Sequence, residues 1–117
     1  MNYRKFPRVS YKCRIYVAKK EKKETIETYT ENIGEGGICV SLEKPFNIFD
    51  HVTLEIFFDG KEEPVSCSGT VVWIVEYHDY RQTGKNKFDT GIEFTDITEK
   101  DRVKIAGLVK NILKPKT

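Results

Sequence analysis

Apolar side chains recur at every second position in stretch after stretch of this 117-residue chain. A pleated strand with one dry face satisfies that period and a helix does not. Tyr11, Cys13, Ile15 and Val17 alternate with Lys12, Arg14 and Tyr16, and Ile38, Val40 and Leu42 alternate with Cys39 and Ser41. Val52, Leu54, Ile56 and Phe58 repeat the pattern, as do Phe88, Thr90, Ile92 and Phe94. Between them lie a β-prone run from Thr25 to Glu31 and a long one from Val65 to Val75. Asp59-Gly60 marks a turn, Pro64 brackets the same hairpin, and Tyr77 to Lys87 reads as a polar loop. Six strands of this length predict a mainly β chain closed into a six-stranded antiparallel barrel.

The last segment changes period. Ile105, Leu108, Val109, Ile112 and Leu113 fall on one stripe of an amphipathic helix, with a capping pattern at Thr98 to Asp101 and a stop at Pro115. The expected organisation is a single domain over 1–117: a flexible basic arm over 1–9, the barrel over 10–95 and the helix over 98–113. The helix is either a lid over one barrel end or a partner-binding element.

Charge is uneven. Residues 1–23 hold nine Lys/Arg against one Glu, while the remainder holds eleven against seventeen acidic residues. The basic end faces an anion or water. Three cysteines, Cys13, Cys39 and Cys67, with no C-x-x-C pair, support neither a disulfide framework nor a zinc site, and imply a reducing, cytoplasmic setting. The longest clean apolar run, Val71 to Val75, is too short to span a bilayer, so no membrane insertion is expected. His51 and His78 have no ligand-spaced partner and no serine has a nucleophile-elbow context, so the reading is not an enzyme, with no cofactor.

Two segments remain. In Arg4-Lys5-Phe6-Pro7-Arg8, Pro7 fixes its own backbone and holds Phe6 extended, so arginines four apart project to one side. In Asn32-Ile33-Gly34-Glu35-Gly36-Gly37, a strand ends on a polar amide and enters a turn whose glycines permit positive φ and close backbone approach. Asn32 is either a ligand contact or a strand-end turn former. A small barrel binding single-stranded nucleic acid through the arm, with Phe6, Tyr11 and Tyr16 stacking, is the competing reading. The acidic balance elsewhere argues against it, because such a groove needs basic residues along its track. No DNA or RNA partner is expected.

In this order the two segments resemble the PilZ domain family, whose pattern is R-x-x-x-R followed by [DN]-x-S-x-x-G. Arg4 and Arg8 match the first motif; Asn32 and Gly37 match the outer positions of the second, and Gly34 stands where the family has Ser. Gly69-Thr70-Val71-Val72-Trp73 and Gly91-Ile92-Glu93-Phe94 extend the resemblance. It implies a barrel that binds cyclic di-GMP between the arm and the turn, through Arg4, Arg8, Asn32, Gly34, Gly36 and Gly37, and signals to a downstream protein partner. Arginine suits this ligand because it pairs bidentately with phosphate or guanine and stacks on a purine. Gly36 and Gly37 would let backbone N–H groups approach an anion. Tyr3, where a further arginine accompanies a stacked ligand pair in the family, leans toward a single ligand. The alternative is a PilZ-like domain that has lost the ligand and works as a protein interaction module. Serine at position 34 is expected to tighten binding by roughly 0.5–3 kcal/mol through its hydroxyl, where the backbone angle permits it.

Overall fold

The structure, a computed structural model, describes residues 6–21, 24–58, 63–81 and 84–114. Arg4, the Asp59-Gly60 turn and Pro115 lie outside the described residues. Seven strands and one helix occur in order: β1 (Arg8–Ser10), β2 (Arg14–Lys19), β3 (Thr25–Gly34), β4 (Gly37–Leu42), β5 (His51–Phe57), β6 (Val65–His78), β7 (Asn86–Asp96) and α1 (Glu99–Leu113). Each paired strand is antiparallel to its neighbour, in the order β3, β2, β5, β6, β7, β4, and pairing of β4 with β3 closes a six-stranded barrel. The alternating apolar positions point inward: Ile15, Val17, Ile38, Val40, Leu42, Val52, Leu54, Ile56 and Ile92 are all buried. Closure leaves no sheet edge along these six strands.

β1 stands outside the barrel. Its three residues pair with the end of β3, Arg8 opposite Gly34 and Ser10 opposite Asn32, so Arg8 and Val9, which the sequence assigned to the arm, are strand residues here. Val9 is buried, and that apolar anchor is the physical reason the ladder starts early. β1 and β2 lie along the same edge of β3, interrupted at residues 11–13. The side chain of buried Thr30 fills the interruption: its hydroxyl donates to the Tyr11 carbonyl at 2.6 Å and accepts from the Cys13 N–H at 3.0 Å.

Opposite that break, the register of β3 against β4 slips between Thr30 and Asn32. A bulge adds one residue to one strand and re-aims the side chains beyond it. Thr30 and Ile33 are both buried, three positions apart rather than two, so Asn32 is turned out of the barrel. Without the bulge Asn32 would share the inner face with Thr30.

The β6–β7 hairpin runs further than the sequence suggested, because His78 pairs with Asn86 inside the stretch read as a loop. Asn86 Oδ1 there accepts from His78 Nδ1 at 2.8 Å and Asn86 Nδ2 donates to Glu76 at 2.7 Å, so side-chain bonds continue the ladder beyond the core. Helix α1 begins on Thr98, whose hydroxyl accepts from the Asp101 N–H at 3.1 Å. It packs against β1 and β3 through Ile105 and Val109. The expected stripe is buried only in part, since Ile112 and Leu113 are exposed.

Candidate ligand-binding site

Directly opposed residues in an antiparallel pair share a face. The registers therefore lay out two rows across the outside of the barrel. Ser10, Asn32, Cys39, Gly91 and Trp73 form one; Arg8, Gly34, Gly37, Glu93 and Thr70 form the next. Small residues floor the area and larger ones wall it. The indole of Trp73 lies so close over Gly91 that no Cβ fits there. Trp73 thus bounds one side, and Arg8 the other.

Arg8 is half-buried, and its Nη1 donates to Asn32 Oδ1 at 3.2 Å. Its other terminal nitrogen lies across Gly37: a Cβ built at Gly37 would sit 2.8 Å from Arg8 Nη2 and would overlap the Ile92 carbonyl oxygen. The guanidinium lies at the mouth of the turn, between the Asn32 amide and Gly37. Gly34 makes the approach possible, since a Cβ there would lie 2.5 Å from the Pro7 carbonyl oxygen and 3.3 Å from Arg8 Cγ.

These contacts correct the expected reason for the glycines. Among the described glycines only Gly84 has a positive φ (67°). Gly34, Gly36 and Gly37 do not use left-handed freedom; Gly34 and Gly37 are required for close approach of chain to chain. Gly36 sits in the two-residue turn with Phe6 3.4 Å from its would-be Cβ, and its carbonyl accepts from the Phe94 N–H at 2.9 Å. Serine at 34 would meet no backbone strain but would collide with Pro7, which reverses the expected gain from that substitution.

Arg8, Asn32, Gly34, Gly36 and Gly37 are brought together; Arg4 lies outside the described residues. The turn is tied to the helix by Arg102, which donates to Glu35 at 3.4 Å and to Glu99 at 2.7 Å. Beneath Arg8 lies the buried thiol of Cys39, pushed up to about 12 by burial first and then by Asp89 and Glu31, with Arg8 opposing. Burial, then Glu31, also raises the carboxyl of Asp89 above the usual carboxylate range. Trp73, Cys39 and Asp89 were not singled out from the sequence. The available signal was Gly91 inside a strand, which marks a place of close approach.

A family model described as the PilZ domain matches residues 2–111. No curated protein matches the sequence. Among solved structures, the fold is similar to the Bacillus subtilis inhibitor of motility (MotI/DgrA), with TM-score 0.75 and 20% identity over 99% of this chain and 55% of that one. It is also similar to the PilZ domain with c-di-GMP of YcgR from Escherichia coli, with TM-score 0.74 and 13% identity over 94% of this chain and 91% of that one. The K. pneumonia MrkH–c-di-GMP complex matches with TM-score 0.74 and 10% identity over 97% of this chain and 52% of that one. The chain thus spans about half the length of MotI and of MrkH.

Proposed function

The chain belongs to the PilZ domain family, and from that premise we propose that it is a cyclic di-GMP receptor domain that clamps the dinucleotide on the outer face of β3, β4 and β7, between the R-x-x-x-R arm and the β3–β4 turn. Arg8 is the inner prong of the clamp and Arg4 the outer one. Asn32 orients Arg8 and offers its amide to the ligand, Gly34 and Gly37 keep the surface low enough for a flat base, and Gly36 completes the turn.

One observation carries the reading: the guanidinium of Arg8 is already anchored to Asn32 at 3.2 Å and lies across Gly37, a planar cation preset at the mouth of the β3–β4 turn. A guanidinium so placed pairs with a phosphate or with the O6/N7 edge of guanine without first being ordered. The YcgR and MrkH structures similar to it are described as containing c-di-GMP, which supports the choice of ligand. Output to a downstream protein partner would run through the turn, because Glu35 on that turn is paired with Arg102 of α1.

Calorimetric titration of the chain with cyclic di-GMP, GMP and an oligonucleotide tests the proposal. Saturable heat with cyclic di-GMP alone supports it, and Arg8→Ala is expected to weaken it by about 1.5–3 kcal/mol, roughly tenfold to more than a hundredfold, while circular dichroism is unchanged. A second reading, an interaction module that has lost the ligand, is favoured by Gly34, which lacks the hydroxyl of the family pattern. Silence with all three titrants supports that one.

A further inference from the structure

One row beyond Asn32, Cys39, Gly91 and Trp73, the register sets Ser41 opposite Asp89 and Asp89 opposite Val75. Two residues of strand separate the rows, about 6.6–6.8 Å. Asp89 therefore lies on the face that carries Arg8 and Asn32, one row from Asn32. Its Oδ1 is buried and has no hydrogen-bond partner among the described residues. Lys87, two positions along β7, does not supply one, since its ammonium is turned to Glu43 at 3.8 Å. Beside this row opens a concavity of about 590 Å³, lined among others by Ser10, Glu31, Ser41 and Tyr77, a size suited to a small ligand.

A buried acceptor without a donor is retained against a desolvation cost, and such groups ask what donor completes them. Guanine presents two adjacent donors, N1–H and the exocyclic N2 amine, and a carboxylate accepts both. Adenine presents an unprotonated N1 at the same place, and an acceptor facing an acceptor repels. Arg8 would meanwhile hold the O6/N7 edge or a phosphate, so the two groups address opposite chemistries of one nucleotide.

We propose that Asp89 is the guanine-reading residue of this site, accepting from N1–H and the N2 amine of one base and so setting the preference for guanine over adenine. The inference rests on the cyclic dinucleotide reading given above.

The test titrates cyclic di-GMP, cyclic di-IMP and cyclic di-AMP into the parent chain and into Asp89→Asn and Asp89→Ala, by calorimetry at one salt concentration. The parent is expected to bind the guanine ligand most tightly, the inosine ligand, which lacks the 2-amine, less well, and the adenine ligand least. Asp89→Asn should reduce the guanine-to-adenine ratio by about tenfold or more, because a carboxamide offers adenine a donor and guanine a poorer acceptor. A ratio unchanged in both variants overturns the proposal. So does a parent that binds cyclic di-IMP as tightly as cyclic di-GMP, a result independent of whether either variant folds. A parent that binds none of the three removes the receptor reading and this inference with it, whereas binding with an unchanged ratio removes Asp89 alone.

Discussion

Position 34 decides whether the arm as it lies in this structure is the arm that binds. A Cβ at Gly34 would stand 2.5 Å from the Pro7 carbonyl oxygen, a backbone atom that cannot rotate away, and 3.3 Å from Arg8 Cγ. Residues 7 and 8 must then lift from β3, which loosens the Arg8–Gly34 register and draws the guanidinium off Asn32 and Gly37. Overpacking of this kind costs about 1–3 kcal/mol. Gly34→Ala isolates that cost, and Gly34→Ser adds a hydroxyl worth about 0.5–1.5 kcal/mol if it finds a neutral partner. Both variants are expected to bind cyclic di-GMP more weakly than the parent, alanine by roughly fivefold to a hundred-and-fiftyfold and serine by less than alanine. Calorimetry at fixed salt reads the affinities, and thermal unfolding of the same samples separates loss of the site from loss of the barrel. Tighter binding by Gly34→Ser, with an unchanged melting transition, would refute the reasoning: the bound arm would then stand away from β3, where a serine fits.

Thr30→Val keeps the shape of the side chain but strips the Cys13 N–H of its acceptor and the Tyr11 carbonyl of its donor; a loss of about 1–3 kcal/mol in denaturant unfolding is expected. Phe49 holds a φ of 73° while 75% exposed, in a turn where the Asp50 N–H bonds the Asn47 carbonyl. Phe49→Gly should relieve about 1–2 kcal/mol of left-handed strain against about 0.5–1 of added unfolded-state entropy, a small net rise in stability in thermal unfolding. Cys39 and Cys67 have thiols pushed from 9.0 up to about 12, both chiefly by burial. Neither should react with iodoacetamide at pH 8 until the chain is unfolded. Between pH 9 and 12 the native chain keeps protons that the unfolded chain releases, so stability should fall as pH rises through that window, measured by urea midpoint.

The barrel was legible because its signal is local. Alternation at Ile15–Val17, Ile38–Leu42 and Val52–Ile56 names both the strand and its dry face, and the registers agree with it. What the sequence did not disclose depends on contacts between distant segments. The bulge at Thr30–Asn32 lies opposite the break where one threonine hydroxyl satisfies two backbone groups of residues 11–13, and nothing near Thr30 in sequence announces either. The glycine turn was read as a place for positive φ and for close backbone approach to a ligand, whereas Gly34 and Gly37 are small so that Pro7, Arg8 and Ile92 of the chain itself can come close. Trp73 over Gly91 and the buried oxygen of Asp89 belong to the same class: each is a cross-strand relation fixed by register alone. Ile112 and Leu113 continue the period of the helix, but α1 packs mainly on β1 and β3, and periodicity carries no information about where a partner surface ends.

The central claim is that cyclic di-GMP binds on the outer face of β3, β4 and β7, between Arg8 and Trp73. A titration of the isotopically labelled chain, monitored by backbone amide shifts, tests it most directly. The account predicts saturable changes concentrated at Arg8, Asn32, Gly34, Gly37, Cys39 and Gly91. An unshifted spectrum at saturating nucleotide, or shifts confined to the turn at Asn47–Asp50, would contradict it.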